Sequence, residues 1–317
     1  MLTYILFAVG LVLLIFGATW LVDGASSLAK KMNIPDLIIG LTIVAFGTST
    51  PELVVNLLAG SSGQTDIAIG NVIGSNIFNV LVILGTAAVL KPINAQLNTT
   101  WKEIPLALLA AIVLGICAND MLFDGAAQSQ LTRTDGLILL SFFGIFMYYI
   151  VDVARNSKEQ AEQFNVMPLW KSLGYIVVGL VGLVLGGQWI VDGAVVMAKA
   201  AGLSEAVIGL TIVAMGTSLP ELATSAVAAY KGNSDIALGN VIGSNIFNVF
   251  FILGITSSLY NLPFRPEANA DILMNIFTST LLFIFLFTGS GRRINKIEGG
   301  IFICIYIGYV SYLLIQQ

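Results

Sequence analysis

Long apolar runs divided by short polar breaks dominate this chain. At roughly 20 apolar residues per bilayer crossing, they predict spans near residues 2–22, 37–59, 67–90, 103–119 and 135–153, then 171–191, 206–229, 236–260, 270–289 and 297–315. The expected fold class is therefore an all-α polytopic membrane protein with ten transmembrane helices.

Polar, helix-breaking residues interrupt these runs in a pattern that occurs twice, 169 residues apart. Gly40 to Leu53 reads GLTIVAFGTSTPEL and Gly209 to Leu222 reads GLTIVAMGTSLPEL, with twelve of fourteen positions identical. Asp66 to Asn79 reads DIAIGNVIGSNIFN and Asp235 to Asn248 reads DIALGNVIGSNIFN, with thirteen of fourteen identical. Trp20/Trp189, Asp23/Asp192 and Lys30/Lys199 fall into the same register. The halves read as copies of one unit: a first repeat over residues 1–153, a linker over 154–170 and a second repeat over 171–317. Five spans per copy is an odd number, so the second copy enters the membrane from the opposite side. The repeats are inverted, and function is expected where they meet.

Sorting the basic residues orients the chain, because cytoplasmic loops collect Lys and Arg. Loops after the odd-numbered spans hold Lys30, Lys31, Lys91, Lys102, Arg155, Lys158, Lys171, Lys231, Arg292, Arg293 and Lys296; the other side holds Arg133, Lys199 and Arg265. That places the linker in the cytoplasm and both termini outside it, in a cell (plasma or inner) membrane.

Composition agrees. With 57% hydrophobic and 10% charged residues, a soluble fold is excluded. The first apolar run starts without a basic n-region and has a mid-chain counterpart, so it reads as a structural helix rather than a cleaved signal. The absence of His removes imidazole catalysis, His metal ligands and His proton relays. Cys117 and Cys304 fall in spans and read as packing residues. The formal charge of −4, spread over short loops, indicates no nucleic-acid partner.

The candidate chemistry sits in the repeated motifs. Pro51 lacks an amide hydrogen and clashes with the carbonyl of Gly47, so the helix is expected to break there and free carbonyls around Ala45, Phe46 and Gly47. Such a break at mid-membrane depth is tolerated only against protein or an aqueous cavity. Thr48 and Glu52, four apart, share a helix face. The second copy repeats this with Ala214, Thr217, Ser218, Pro220 and Glu221. An ionised Glu at the bilayer centre costs about 2.5–3.5 kcal/mol on insertion scales, and spans 2, 3, 7 and 8 contain no Lys or Arg to offset two of them. Either both are protonated or their counter-ion arrives from solution, and a bound cation is the economical explanation. Two carboxylates with hydroxyl and carbonyl oxygens suit calcium or sodium rather than thiophilic or imidazole-seeking metals. The helices that follow carry polar stripes, Asn71–Ser75–Asn79 and Asn240–Ser244–Asn248, with Asn76 and Asn245 alongside. Their glycines, Gly70/Gly74 and Gly239/Gly243, allow close helix approach. Asp66 and Asp235 are expected to be N-caps. Any single Ser or Asn here also fits a role as interhelical glue.

The paired GTSxPE and GSNIFN motifs, present twice in opposite orientations, resemble the alpha repeats of the calcium/cation antiporter superfamily, and among them the prokaryotic sodium/calcium exchangers. The resemblance implies that the first and sixth helices form a sliding pair across a core of the other eight. It further implies calcium held by Glu52 and Glu221 with backbone oxygens of Thr48 and Thr217. Sodium sites would add Ser49, Ser75, Ser218, Ser244 and the carbonyls of Ala45 and Ala214. Asn79 and Asn248 end the second motifs, where many relatives carry one Asp; Asn cannot titrate, so this bears on sodium number, potassium involvement and proton coupling. The implied function is antiport of calcium against sodium by alternating access. Calcium and sodium are cargo, and no cofactor and no enzymatic activity are implied. The alternatives are calcium/proton or potassium-dependent antiport, a cation channel, and an intramembrane hydrolase, for which the GTS serine lacks a base.

Overall fold

The computed structural model describes residues 2–156, 167–200, 214–288 and 291–315. The first half contains α1 (Leu2–Met32), α2 (Asp36–Thr48), α3 (Thr50–Ser61), α4 (Thr65–Leu90), α5 (Thr99–Cys117) and α6 (Arg133–Asn156). The second contains α7 (Leu169–Ala200), a short turn at Ala214–Gly216, α8 (Leu219–Lys231), α9 (Ser234–Leu259), α10 (Pro266–Phe285) and α11 (Lys296–Ile315). Among the described residues, eight helices are long and apolar enough to cross a membrane singly, and α2 with α3 form one broken crossing bent by 47°. The start of the expected span over 206–229 and most of the linker over 154–170 lie outside the described residues.

The first and sixth crossings are longer than their apolar runs predict. Nothing stops α1 at residue 22; the helix continues to Met32 and ends where Asn33 takes a left-handed φ of 54° ahead of Pro35. Its 31 residues span roughly 46 Å at about 1.5 Å per residue. The helix therefore overruns a bilayer core or crosses it tilted. Trp20 and Asp23 sit inside the helix, and Asp23 pairs with Lys231 at 2.5 Å.

Helices α1 and α7 pack against each other antiparallel, and glycines set their separation. A Cβ added at Gly17 would lie 2.9 Å from the Gly179 carbonyl oxygen, and one at Gly10 would lie 2.9 Å from that of Gly186. The pair Gly10/Gly17 recurs as Gly179/Gly186, so the seam obeys the internal repeat. The most enclosed helices are α9 and α4, with 94% and 72% of their apolar windows buried, against 28% for α1. The core of the fold is thus the pair of motif helices, and α1 with α7 lies outside it.

Two small antiparallel strand pairs tie the halves together. β1 (Ile93–Asn94) joins β4 (Arg293–Ile294), and β2 (Ser129–Leu131) joins β3 (Leu262–Phe264). Each pair links one loop of each half, and the ten-span count puts the two loops of a pair on the same side of the membrane.

Two sequence expectations are corrected. Asp66 and Asp235 are not N-caps: α4 is preceded by Gln64 and α9 by Asn233, whose side chain accepts the Ile236 amide. The two aspartates are the second residues of their helices, where Asp66 pairs with Arg265 at 2.7 Å and Asp235 accepts Gln96 Nε2 at 2.6 Å. Negative charge in a first helical turn is favourable without any cap bond. Cys304 is exposed on α11 rather than packed.

Candidate functional site

The break falls where the proline places it. Ser49, with φ −82° and ψ 9°, separates α2 from α3, and Pro51 opens α3. Ser218, at φ −90° and ψ 6°, does the same before α8. Of the carbonyls expected to be free, that of Ala45 accepts the Ser49 amide at 3.0 Å and lies 3.3 Å from Thr48 Oγ1, and that of Phe46 accepts Thr50 Oγ1 at 3.0 Å. Pro51 offers no hydrogen to the Gly47 carbonyl. Ala214 opens the described part of the second GTSxPE segment, whose preceding residues lie outside the described residues.

The breaks from the two halves meet, and their hydrogen bonds cross. Ser49 Oγ donates to Glu221 Oε1 at 2.7 Å and lies 3.0 Å from Ser244 Oγ. Ser218 Oγ donates to Glu52 Oε1 at 3.1 Å and lies 3.2 Å from Ser75 Oγ. Each serine of one half therefore engages the glutamate and the second-motif serine of the other. Both glutamates are 1% exposed, and Oε2 of each is buried without a hydrogen-bond partner. The ion pairs Lys231–Asp23 and Arg265–Asp66 lie elsewhere, so no basic side chain compensates these carboxylates among the described residues. Burying two such oxygens unmatched is costly, which is the condition a bound cation removes.

The polar stripes complete the surroundings. Glycines hold α9 against α2: a Cβ at Gly239 would lie 2.9 Å from the Leu37 carbonyl, and one at Gly243 would lie 2.7 Å from that of Leu41. Thr48 Oγ1 donates to Asn240 Oδ1 at 3.1 Å, and Asn240 Nδ2 donates to Ser225 Oγ at 2.9 Å and to the Glu221 carbonyl at 3.3 Å. The corresponding bond from Thr217 to Asn71 is not made, and Asn71 Nδ2 has no partner, so the two half-sites differ. One turn beyond Ser75 and Ser244, Asn79 and Asn248 are buried, and each keeps an unpartnered Oδ1. Wide π-type turns begin at Asn79 in α4 and at Phe247 in α9, an irregularity common at functional sites.

Among the described residues, no cluster of three or more His, Cys, Asp or Glu side chains exists. A cation here would be held by two carboxylates plus neutral oxygens, a set suited to hard ions. Sequence reasoning placed Asn240 in a polar stripe without a ligand role and did not single out Asn56 or Ser225. Asn56 and Ser225 follow Glu52 and Glu221 by four residues and share the 169-residue offset, which was the available signal. A surface cavity of about 540 Å³ is lined by Asp36, Asn94, Gln96, Lys231, Asn233 and Asp235 among others, but by neither glutamate. The carboxylate pair is enclosed in this conformation.

Helix α7 covers both breaks. A Cβ at Gly47 would lie 2.5 Å from Leu180 Cδ2, and one at Gly216 would lie 2.3 Å from Val191 Cγ2.

A family model described as sodium/calcium exchanger protein matches residues 2–151 and 171–315. The "Putative antiporter CaxA" of Alkalimonas amylolytica is 41% identical over 98% of this chain and 97% of its own. Inner membrane protein YrbG of Escherichia coli (strain K12) is 36% identical over 97% of this chain and 94% of its own. A solved structure of the sodium-calcium exchanger NCX_Mj, soaked with 2.5 mM Na⁺ and 0.1 mM Ca²⁺, superposes with a TM-score of 0.84 at 33% identity, covering 98% of both chains.

Proposed function

We propose that this chain, which belongs to the sodium/calcium exchanger family, exchanges calcium for sodium by alternating access, with both ions using overlapping sites between its two halves. At the coarser level the chain is a multi-pass membrane protein and a cation/calcium antiporter of that family, a transporter rather than an enzyme. Sodium as the coupling ion, the ligand set and the orientation belong to the proposal.

One observation carries it. Glu52 and Glu221 are buried at the crossing point of the halves, each with one carboxylate oxygen held by a serine of the opposite half and the other oxygen unmatched. Two negative charges balance one calcium ion, or two sodium ions. Neutral oxygens from Ser49, Ser75, Ser218, Ser244, Asn79, Asn248, Thr48, Thr217, Ala45 and Ala214 extend the shell without adding charge, so ions of different valence can occupy the same place in turn. An empty site keeps both charges and resists crossing a low-dielectric barrier. Only loaded forms then exchange sides, which couples the two fluxes.

The moving part in this reading is the pair α1 and α7. Its glycine seam holds the two helices together, while α7 touches both breaks through Leu180 and Val191. Displacement of the pair would uncover the site toward one face or the other. The excess of basic residues on the odd-numbered loops supports an orientation with those loops in the cytoplasm and both termini outside. YrbG is named an inner membrane protein, and a cell or inner membrane is the proposed location here.

The test is calcium uptake into sodium-loaded proteoliposomes diluted into sodium-free buffer. Uptake that collapses when the sodium gradient is removed supports the reading. Uptake that follows an imposed pH gradient or requires potassium replaces sodium by that ion as the coupling species.

A further inference from the structure

Four asparagines at the centre of the fold form a closed, twofold arrangement. Asn76 Nδ2 donates to the Asn245 backbone carbonyl at 3.2 Å, and Asn245 Nδ2 donates to that of Asn76 at 3.3 Å. Asn79 Nδ2 donates to Asn245 Oδ1 at 2.9 Å, and Asn248 Nδ2 donates to Asn76 Oδ1 at 3.0 Å. All four residues are at most 3% exposed. The atoms left over are Oδ1 of Asn79 and Oδ1 of Asn248.

We infer that Asn76 and Asn245 are positioning residues that fix which end of the Asn79 and Asn248 amides is presented to the transported ions. This rests on the reading of Asn79 and Asn248 as ion ligands. An amide has an oxygen at one end and an NH₂ at the other, nearly equal in shape; only the oxygen can bind a cation. A rotation of 180° about the last bond would therefore turn a ligand into a repelling group at almost no steric cost.

The network forbids that rotation in two steps. A backbone carbonyl can only accept, so the end of Asn245 that faces the Asn76 carbonyl must be its NH₂. Asn245 Oδ1 then faces Asn79, and an oxygen there must be met by a donor. Asn79 is obliged to turn its NH₂ inward to Asn245 and its oxygen away. The same chain of constraint runs from the Asn245 carbonyl through Asn76 to Asn248. Reversing either ligand amide would set oxygen against oxygen in a buried place, where an unmatched polar contact is expensive. A carboxylate at residue 79 or 248 would need no such control, since both of its ends are oxygen. This chain has Asn at both positions, and it has an orienting partner for both.

The experiment is calcium titration by calorimetry on the purified full-length protein in sodium-free detergent buffer, in a double-mutant cycle. Four proteins are compared: wild type, Asn245→Ala, Asn79→Asp and the double variant. Asn245→Ala is expected to weaken calcium binding about tenfold when residue 79 is Asn, and to cause no loss when residue 79 is Asp, where a carboxylate oxygen already opposes Asn245 Oδ1 and the truncation removes that opposition. The mirror cycle, Asn76→Ala with Asn248→Asp, is expected to behave alike, and it decides the matter if Asn245→Ala does not elute as a folded species. An equal loss in both backgrounds would overturn the inference and make the quartet plain packing; so would no loss in either. A wild type that binds neither calcium nor sodium would overturn the ion-site reading and this inference with it, whereas a binding wild type with an indifferent Asn245→Ala overturns this inference alone.

Discussion

Ser49 Oγ stands 2.7 Å from Glu221 Oε1, across 172 positions of sequence and across the boundary between the two halves. Its counterpart, Ser218 to Glu52 at 3.1 Å, closes the same link in the other direction. Neither glutamate is oriented by its own repeat. A site built this way exists only when both halves are docked, and it changes on both sides when one half moves.

Removing either serine hydroxyl should therefore damage the site held by the other half. A hydrogen bond to a charged group is worth roughly 1.5–3 kcal/mol, so Ser49→Ala and Ser218→Ala are each expected to weaken calcium binding roughly tenfold or more. Calorimetric titration checks this. Wild-type affinity in either variant would contradict the cross-half bonds.

The glycine seam makes a prediction about stability. Gly17→Ala places a methyl group 2.9 Å from the Gly179 carbonyl oxygen and equally close to the Leu183 amide. Backbone cannot give way cheaply, and overpacking of this kind costs about 1–3 kcal/mol. The melting temperature in detergent should fall. Gly308→Ala on α11, with nothing within 4 Å of the added carbon, should leave it unchanged. Equal behaviour of the two variants would show that α1 and α7 are not in close contact.

Orientation can be read by labelling single cysteines. Lys31 and Gln64 are both exposed, on either side of the broken crossing α2–α3. Gln64→Cys should react with a membrane-impermeant maleimide in intact cells, and Lys31→Cys only after permeabilisation. The reverse pattern would invert the assignment of the termini.

Much of this architecture was legible because membrane burial and internal duplication leave strong marks. The apolar runs located the crossings, the 169-residue offset identified the halves, and Pro51 and Pro220 located the breaks. The ends of α1 and α7 were not legible, since hydropathy detects the apolar part of a helix and not its polar continuation through Lys30 and Lys199. The N-cap assignment of Asp66 and Asp235 failed because a favourable first-turn charge and a cap look alike in sequence. The crossing of Ser49 to Glu221 was invisible too. Repeat symmetry pairs residue with equivalent residue, but it does not say that each serine reaches past its own glutamate to the other. The orphaned oxygens of Asn79 and Asn248 likewise depend on Asn76 and Asn245, which a stripe of every fourth residue passes over.

The most direct test of the central claim is radioactive calcium uptake into sodium-loaded proteoliposomes, for wild type and for Glu52→Gln and Glu221→Gln. The account predicts uptake that requires the outward sodium gradient in the wild type and is lost, by at least about 100-fold, in each variant. Each substitution removes one of the two charges that balance the cargo while keeping the side chain's shape. Undiminished uptake in either variant, or wild-type uptake indifferent to sodium, would contradict it.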